Sequence, residues 1–189
     1  MFATTGNTTP VKNTSYKVVL PFYLYAAVSF LVATSFLLIS TPAFTGHYFH
    51  PHILAITHIM VLGWGAMIIL VTSHQLVPVL IEEKLYSIKL AYTSFILAGI
   101  GIPLLVYGFY VFNMGWPAKW GGRFIVLAIL TYLINSGISI SKSKNESIHA
   151  VYVFTATIWL FLTTFLGLVL VYNFTYLLRI YSAIAYSKL

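Results

Sequence analysis

Polar residues divide this chain into five apolar runs. They lie at about Val18 to Ser40, Pro51 to Leu80, Ile88 to Phe112, Gly122 to Ile140 and Ile148 to Tyr172. Each is long enough for a helix to cross a hydrocarbon core, which takes roughly 20 residues. Helices satisfy their own backbone groups in lipid, and runs of this length suit helices better than barrel strands. The pattern predicts an all-α fold, an integral membrane bundle of five transmembrane helices over residues 18–176. A polar tail (1–17) precedes the bundle and a half-polar tail (177–189) follows it. Pro21 falls in the first turn of the first run, and Pro51 opens the second with His50 near its N-cap. The second run exceeds the length a bilayer needs and must tilt or protrude before Glu82-Glu83-Lys84 closes it. Gly99, Gly101 and Pro103 predict a kink or close packing in the third. Trp116 and Trp120, in a loop from Asn113 to Trp120, are placed as interfacial anchors.

Composition agrees with the pattern. The chain is 60% hydrophobic and 7% charged, with a mean hydropathy of +0.92, whereas soluble domains carry about 25% charged residues. The first span doubles as its own targeting signal, since no basic-then-apolar leader pattern precedes it. Lys12, Lys17, Lys84, Lys89, Lys142 and Lys144 fall on the side of the N-terminal tail. Lys119, Arg123, Arg179 and Lys188 fall on the other. This bias predicts a cytoplasmic N-terminus; the expected location is a bacterial inner membrane. The net charge of +7 sits in loops facing lipid headgroups, which argues against nucleic acid as a partner. Cysteine and aspartate are absent, and the acids are Glu82, Glu83 and Glu146. Thiolate metal sites, disulfides, cysteine-held clusters and intramembrane carboxylate pairs are thereby excluded.

The remaining chemistry lies in six histidines. His58 stands inside the second run, where an imidazole needs a partner, a cavity or a ligand. At ~100° and ~1.5 Å per residue, Gly65 falls on the face of His58 about 10 Å away. That spacing suits an imidazole holding an iron, with a position lacking a side chain where a flat porphyrin would pass and Gly63 widening the flank. The competing reading makes Gly63 and Gly65 helix-packing glycines and gives His58 a hydrogen bond to a neighbouring helix. His74 is ~160° around the helix and ~24 Å from His58, so the two cannot share a metal. His74 could pair with His149 at the start of the fifth run, or each could be a plain interfacial histidine. His47, His50 and His52 gather beside Pro51, where they could bind zinc or copper or simply be surface residues at a helix start.

Thr57-His58-Ile59-Met60-Val61-Leu62-Gly63-Trp64, followed by Gln75-Leu76-Val77-Pro78, resembles helix II of the haem–copper oxidase and nitric oxide reductase subunit I superfamily, and in particular its short subunit I-like membrane proteins. The resemblance covers residues 50–80. It implies haem b, with His58 as an axial ligand to low-spin iron near the outer face and Gly63, Trp64 and Gly65 beside it. The departures are equally definite. The superfamily has about twelve spans, an adjacent histidine pair and further copper-holding histidines, and this chain has neither that span count nor a His-His pair. The chain looks like the N-terminal half of such a protein. The expectation is a haem-binding electron-transfer subunit of a respiratory or nitric-oxide-related complex, and not a complete oxidase by itself. A second haem ligand would come from another copy or from a partner membrane subunit. The alternatives are a metal-handling membrane protein using the outer histidines, or a structural subunit without haem.

Overall fold

The computed structural model describes residues 14–47, 49–143 and 148–186, with 178–186 as backbone only. Lys12, Lys144 and Lys188, used above to orient the chain, lie outside the described residues, as do Glu146 and most of the polar tail. Every regular element among the described residues is helical. Five helices are long and apolar enough to cross a membrane: α1 (Tyr16–Ile39), α2 (Pro51–Leu80), α3 (Ile88–Tyr110), α4 (Trp116–Lys142) and α5, whose apolar part is Ile148–Leu177. The chain is an integral membrane protein by this architecture.

Local chemistry sets the helix starts. Ser15 caps α1 by accepting the Lys17 N–H. His50 caps α2 through its own ring, ahead of Pro51. Ser87 caps α3. The fourth helix begins at Trp116, earlier than the apolar run suggests, because Pro117 sits in its first turn, where a missing N–H costs nothing. The anchoring tryptophans are therefore helical. The fifth helix continues beyond Tyr172 to Tyr186.

Cross-links at both ends show how the helices alternate. At the end where α1 begins, Thr14 Oγ1 donates to His74 O (2.6 Å) and Ser143 Oγ to Ile81 O (3.1 Å). At the opposite end, His52 stacks on Tyr110 at 4.5 Å and Thr175 Oγ1 donates to Met114 O (2.7 Å). Gly101 and Gly108 of α3 are a packing surface against α4. A Cβ on Gly101 would lie 2.9 Å from Gly121 O, and one on Gly121 would run into the Leu105 backbone. Asn135 of α4 pins the α2–α3 loop, accepting Ser87 N–H (2.9 Å) and donating to Ser87 O (3.0 Å). The last helix is attached along one side. Only 6% of its apolar stretch is buried, against 22–39% in the other four, so lipid or another chain must cover it.

Within α2, residues Ile59–Ala66 are wound as a π-helix. Such segments are rare and often lie at functional sites. This one begins directly after His58.

Candidate functional site

His58 ends the α-helical first part of α2. Its Nδ1 lies 2.7 Å from Leu54 O. A carbonyl only accepts, so Nδ1 carries the proton, and in the neutral ring Nε2 offers a lone pair. The ring rests on Phe109 of α3, with centroids 4.2 Å apart. It lines a cavity of about 310 Å³ between α2, α3, α4 and α5, walled by Leu62, Leu105, Ile125 and Leu168. On the α5 side the wall includes Gly167, where an added Cβ would meet nothing within 4 Å. An imidazole held by its second nitrogen at the wall of an apolar cavity has the chemistry a ligand site needs.

The other residues of the sequence motif face elsewhere. Gly63 is buried against α1, where a Cβ would lie 2.8 Å from Ser29 Cβ and Oγ. Trp64 packs on Phe30 of α1 at 5.3 Å. Gly65 is half-buried and does not line the His58 cavity. The π winding is the reason. Each residue in it advances by less than the ~100° of an α-helix, so positions beyond His58 fall back from the face that α-helical counting assigns. Gly63 is thus a packing glycine, and the glycine in the lining of the His58 cavity is Gly167, an exposed position on α5.

The remaining histidines separate into three situations. His74, expected at an interface, is fully buried in the bundle between Phe22 and Tyr132. The long second helix carries it inside a ring formed by α1 and α4. His149 is exposed in the first turn of α5, unlike the sealed His74. At the other end, His47 Nδ1 accepts the Phe49 N–H (3.1 Å) and His50 Nδ1 accepts the His52 N–H (3.3 Å). With these nitrogens committed to turns, the zinc or copper site considered for His47, His50 and His52 is not assembled. No group of three or more His, Cys, Asp or Glu among the described residues is placed to hold a metal ion.

A second cavity, about 380 Å³, lies between α1, α2 and α3 beside Tyr25, Ser29 and Tyr107. It has no imidazole. Haem b fits the chemistry of the His58 cavity on one side: a neutral imidazole with its Nδ1 proton committed, apolar walls, and a cradle at Gly167. The lining contains one histidine and no methionine, so it could offer an iron one imidazole. Phe109 and Gly167 were missed by sequence reasoning. The lone glycine in an otherwise bulky fifth run was the available signal.

No family model matches the chain, and no curated protein or solved structure matches it either.

Proposed function

We propose that this protein is a haem-b-binding subunit of a membrane electron-transfer assembly, with His58 as an axial ligand. The observation that carries the reading is the His58 imidazole, fixed through Nδ1 to Leu54 O at the wall of an apolar cavity. The resemblance of residues 50–80 to helix II of the haem–copper oxidase superfamily supports it. Haem b would supply one-electron exchange at its iron. The chain's own contributions are distinct. Leu54 O holds the ring in the tautomer that frees Nε2. Phe109 fixes the ring plane, and the apolar walls keep water out and thereby tune the potential. Thr57 and Thr164 add the few polar groups at the rim.

The proposed setting is a bacterial inner membrane with the N-terminus in the cytoplasm, which puts His58 toward the outer side. A second copy or a partner subunit, lying along the exposed face of α5, would supply the second ligand. Reduction of oxygen or nitric oxide by this chain alone is not part of the reading, because a second metal needs about three converging imidazoles. Haem extraction and pyridine-haemochrome quantification on the purified full chain test it. The expected result is b-type haem at one per chain, or one per two chains if the ligand set is shared. A folded protein from haem-replete cells that carries no haem would contradict the proposal.

A further inference from the structure

Two buried side-chain atoms among the described residues have no hydrogen-bond partner, His74 Nε2 and Tyr132 Oη. They belong to neighbouring rings, with centroids 4.9 Å apart. Both side chains are sealed, at 0% and 1% exposure. An unsatisfied buried polar atom costs about 1–3 kcal/mol, and native interiors meet such atoms with protein groups or ordered water.

The donors and acceptors say what is needed. His74 Nδ1 lies 2.7 Å from Leu70 O, so Nδ1 holds the proton and Nε2 is an acceptor. The hydroxyls of Ser73, Thr157 and Ser136 lie within interaction range of the Tyr132 phenol oxygen, but none is placed with hydrogen-bond geometry to it. Ser136 Oγ donates to Tyr132 O and Thr157 Oγ1 to Val153 O, each at 2.9 Å. The Ser136 and Thr157 protons are thus committed to their own helices, and lone pairs are what these two hydroxyls have left to offer. Acceptors therefore outnumber donors in this pocket. That balance rejects an anion and selects a ligand with two hydrogens to give. Neighbouring Asn135 and Ser139 need nothing further, because they already bond Ser87 and Tyr86 of the α2–α3 loop. Phe22 closes a third side, 5.5 Å from the His74 ring.

We propose that His74, Tyr132 and Thr157 form a buried site for one water molecule. The water accepts from the Tyr132 O–H, donates one hydrogen to His74 Nε2 and donates the other to a Ser or Thr oxygen. Three hydrogen bonds are the usual complement of an internal water. The site belongs to the end of the bundle where α1 begins, since Thr14 Oγ1 bonds His74 O. It is separate from the His58 cavity and stands whatever that cavity holds. It gives His74 a proton donor inside the membrane, the arrangement on which intramembrane histidine relays are built.

Solid-state NMR on the full chain in lipid bilayers, with ¹⁵N-labelled histidine and a His74→Gln variant for assignment, tests the proposal. The expected result is a His74 ring protonated at Nδ1 with fast magnetisation transfer from water to Nε2. That water signal is lost in Tyr132→Phe, and in Thr157→Val should the first variant fail to fold. A ring protonated at Nε2 alone, a direct Tyr132 hydroxyl contact to Nε2 without water, or a water signal indifferent to both variants would overturn it.

Discussion

At the scale of single residues, the site rests on one imidazole and one missing side chain. His58 was legible in the sequence because a histidine in an apolar run has few ordinary explanations. Gly167 was not, because a glycine acquires meaning only from what stands opposite it. Opposite Gly63 stands Ser29, opposite Gly121 the Leu105 backbone, and opposite Gly167 open space. These differences predict different responses to bulk. Gly167→Leu should fold normally, with a melting temperature in detergent within a few degrees of wild type, and should lower haem content severalfold by filling the cradle. Gly121→Leu should cost several kcal/mol, beyond the usual ~1–3 kcal/mol of overpacking, because backbone and not a flexible side chain is in the way. Size-exclusion profiles and thermal melts of the two variants distinguish the cases. Equal loss of folded protein in both would remove the special role given to Gly167.

At the scale of elements, the five helices could be read from the chain because each is a long apolar run bounded by charge, proline or a capping hydroxyl. The winding inside α2 could not. Gly63 and Gly65 weaken the α-helix locally within Ile59–Ala66, but they do not say which winding replaces it. Tertiary packing of Gly63 on Ser29 accompanies the looser turn. Counting at ~100° per residue consequently put Gly65 beneath His58, where the structure does not bring it. Deleting Trp64 should let this segment rewind as α-helix, because seven residues at ~100° turn about as far as eight at the smaller π advance. His74 should then keep its sealed position, and the melting temperature should stay within a few degrees of wild type. A melt lowered by many degrees would show that the flanking register does not survive the loss of the π winding. The loop anchor is a separate test. Asn135→Ala removes both bonds to Ser87 and should destabilise the protein by about 1–3 kcal/mol, measurable as a lower midpoint of unfolding in mixed detergent. A midpoint equal to wild type would mean that the α2–α3 loop holds its place without Asn135.

At the scale of the whole molecule, five spans put the two ends of α2 on opposite sides of the bilayer. The chain has no cysteine, so single-cysteine labelling is clean. Thr45→Cys should react with an impermeant maleimide from outside intact cells, and Lys84→Cys only after permeabilisation. The reverse pattern would invert the topology inferred from the lysines. The nearly bare fifth helix could be foreseen only in part, since an apolar run is alike whether lipid or protein covers it. Its one-sided attachment is what the proposal of a shared or partner-supplied second ligand draws on. All of this converges on whether His58 holds a haem iron. The most direct measurement is the reduced-minus-oxidised absorption spectrum of the purified protein, recorded beside His58→Ala and His47→Ala at equal protein concentration. The predicted result is a low-spin b-type spectrum in the wild type and in His47→Ala, lost or converted to high spin in His58→Ala. A low-spin spectrum unchanged in His58→Ala, or no haem spectrum in any of the three, would contradict it.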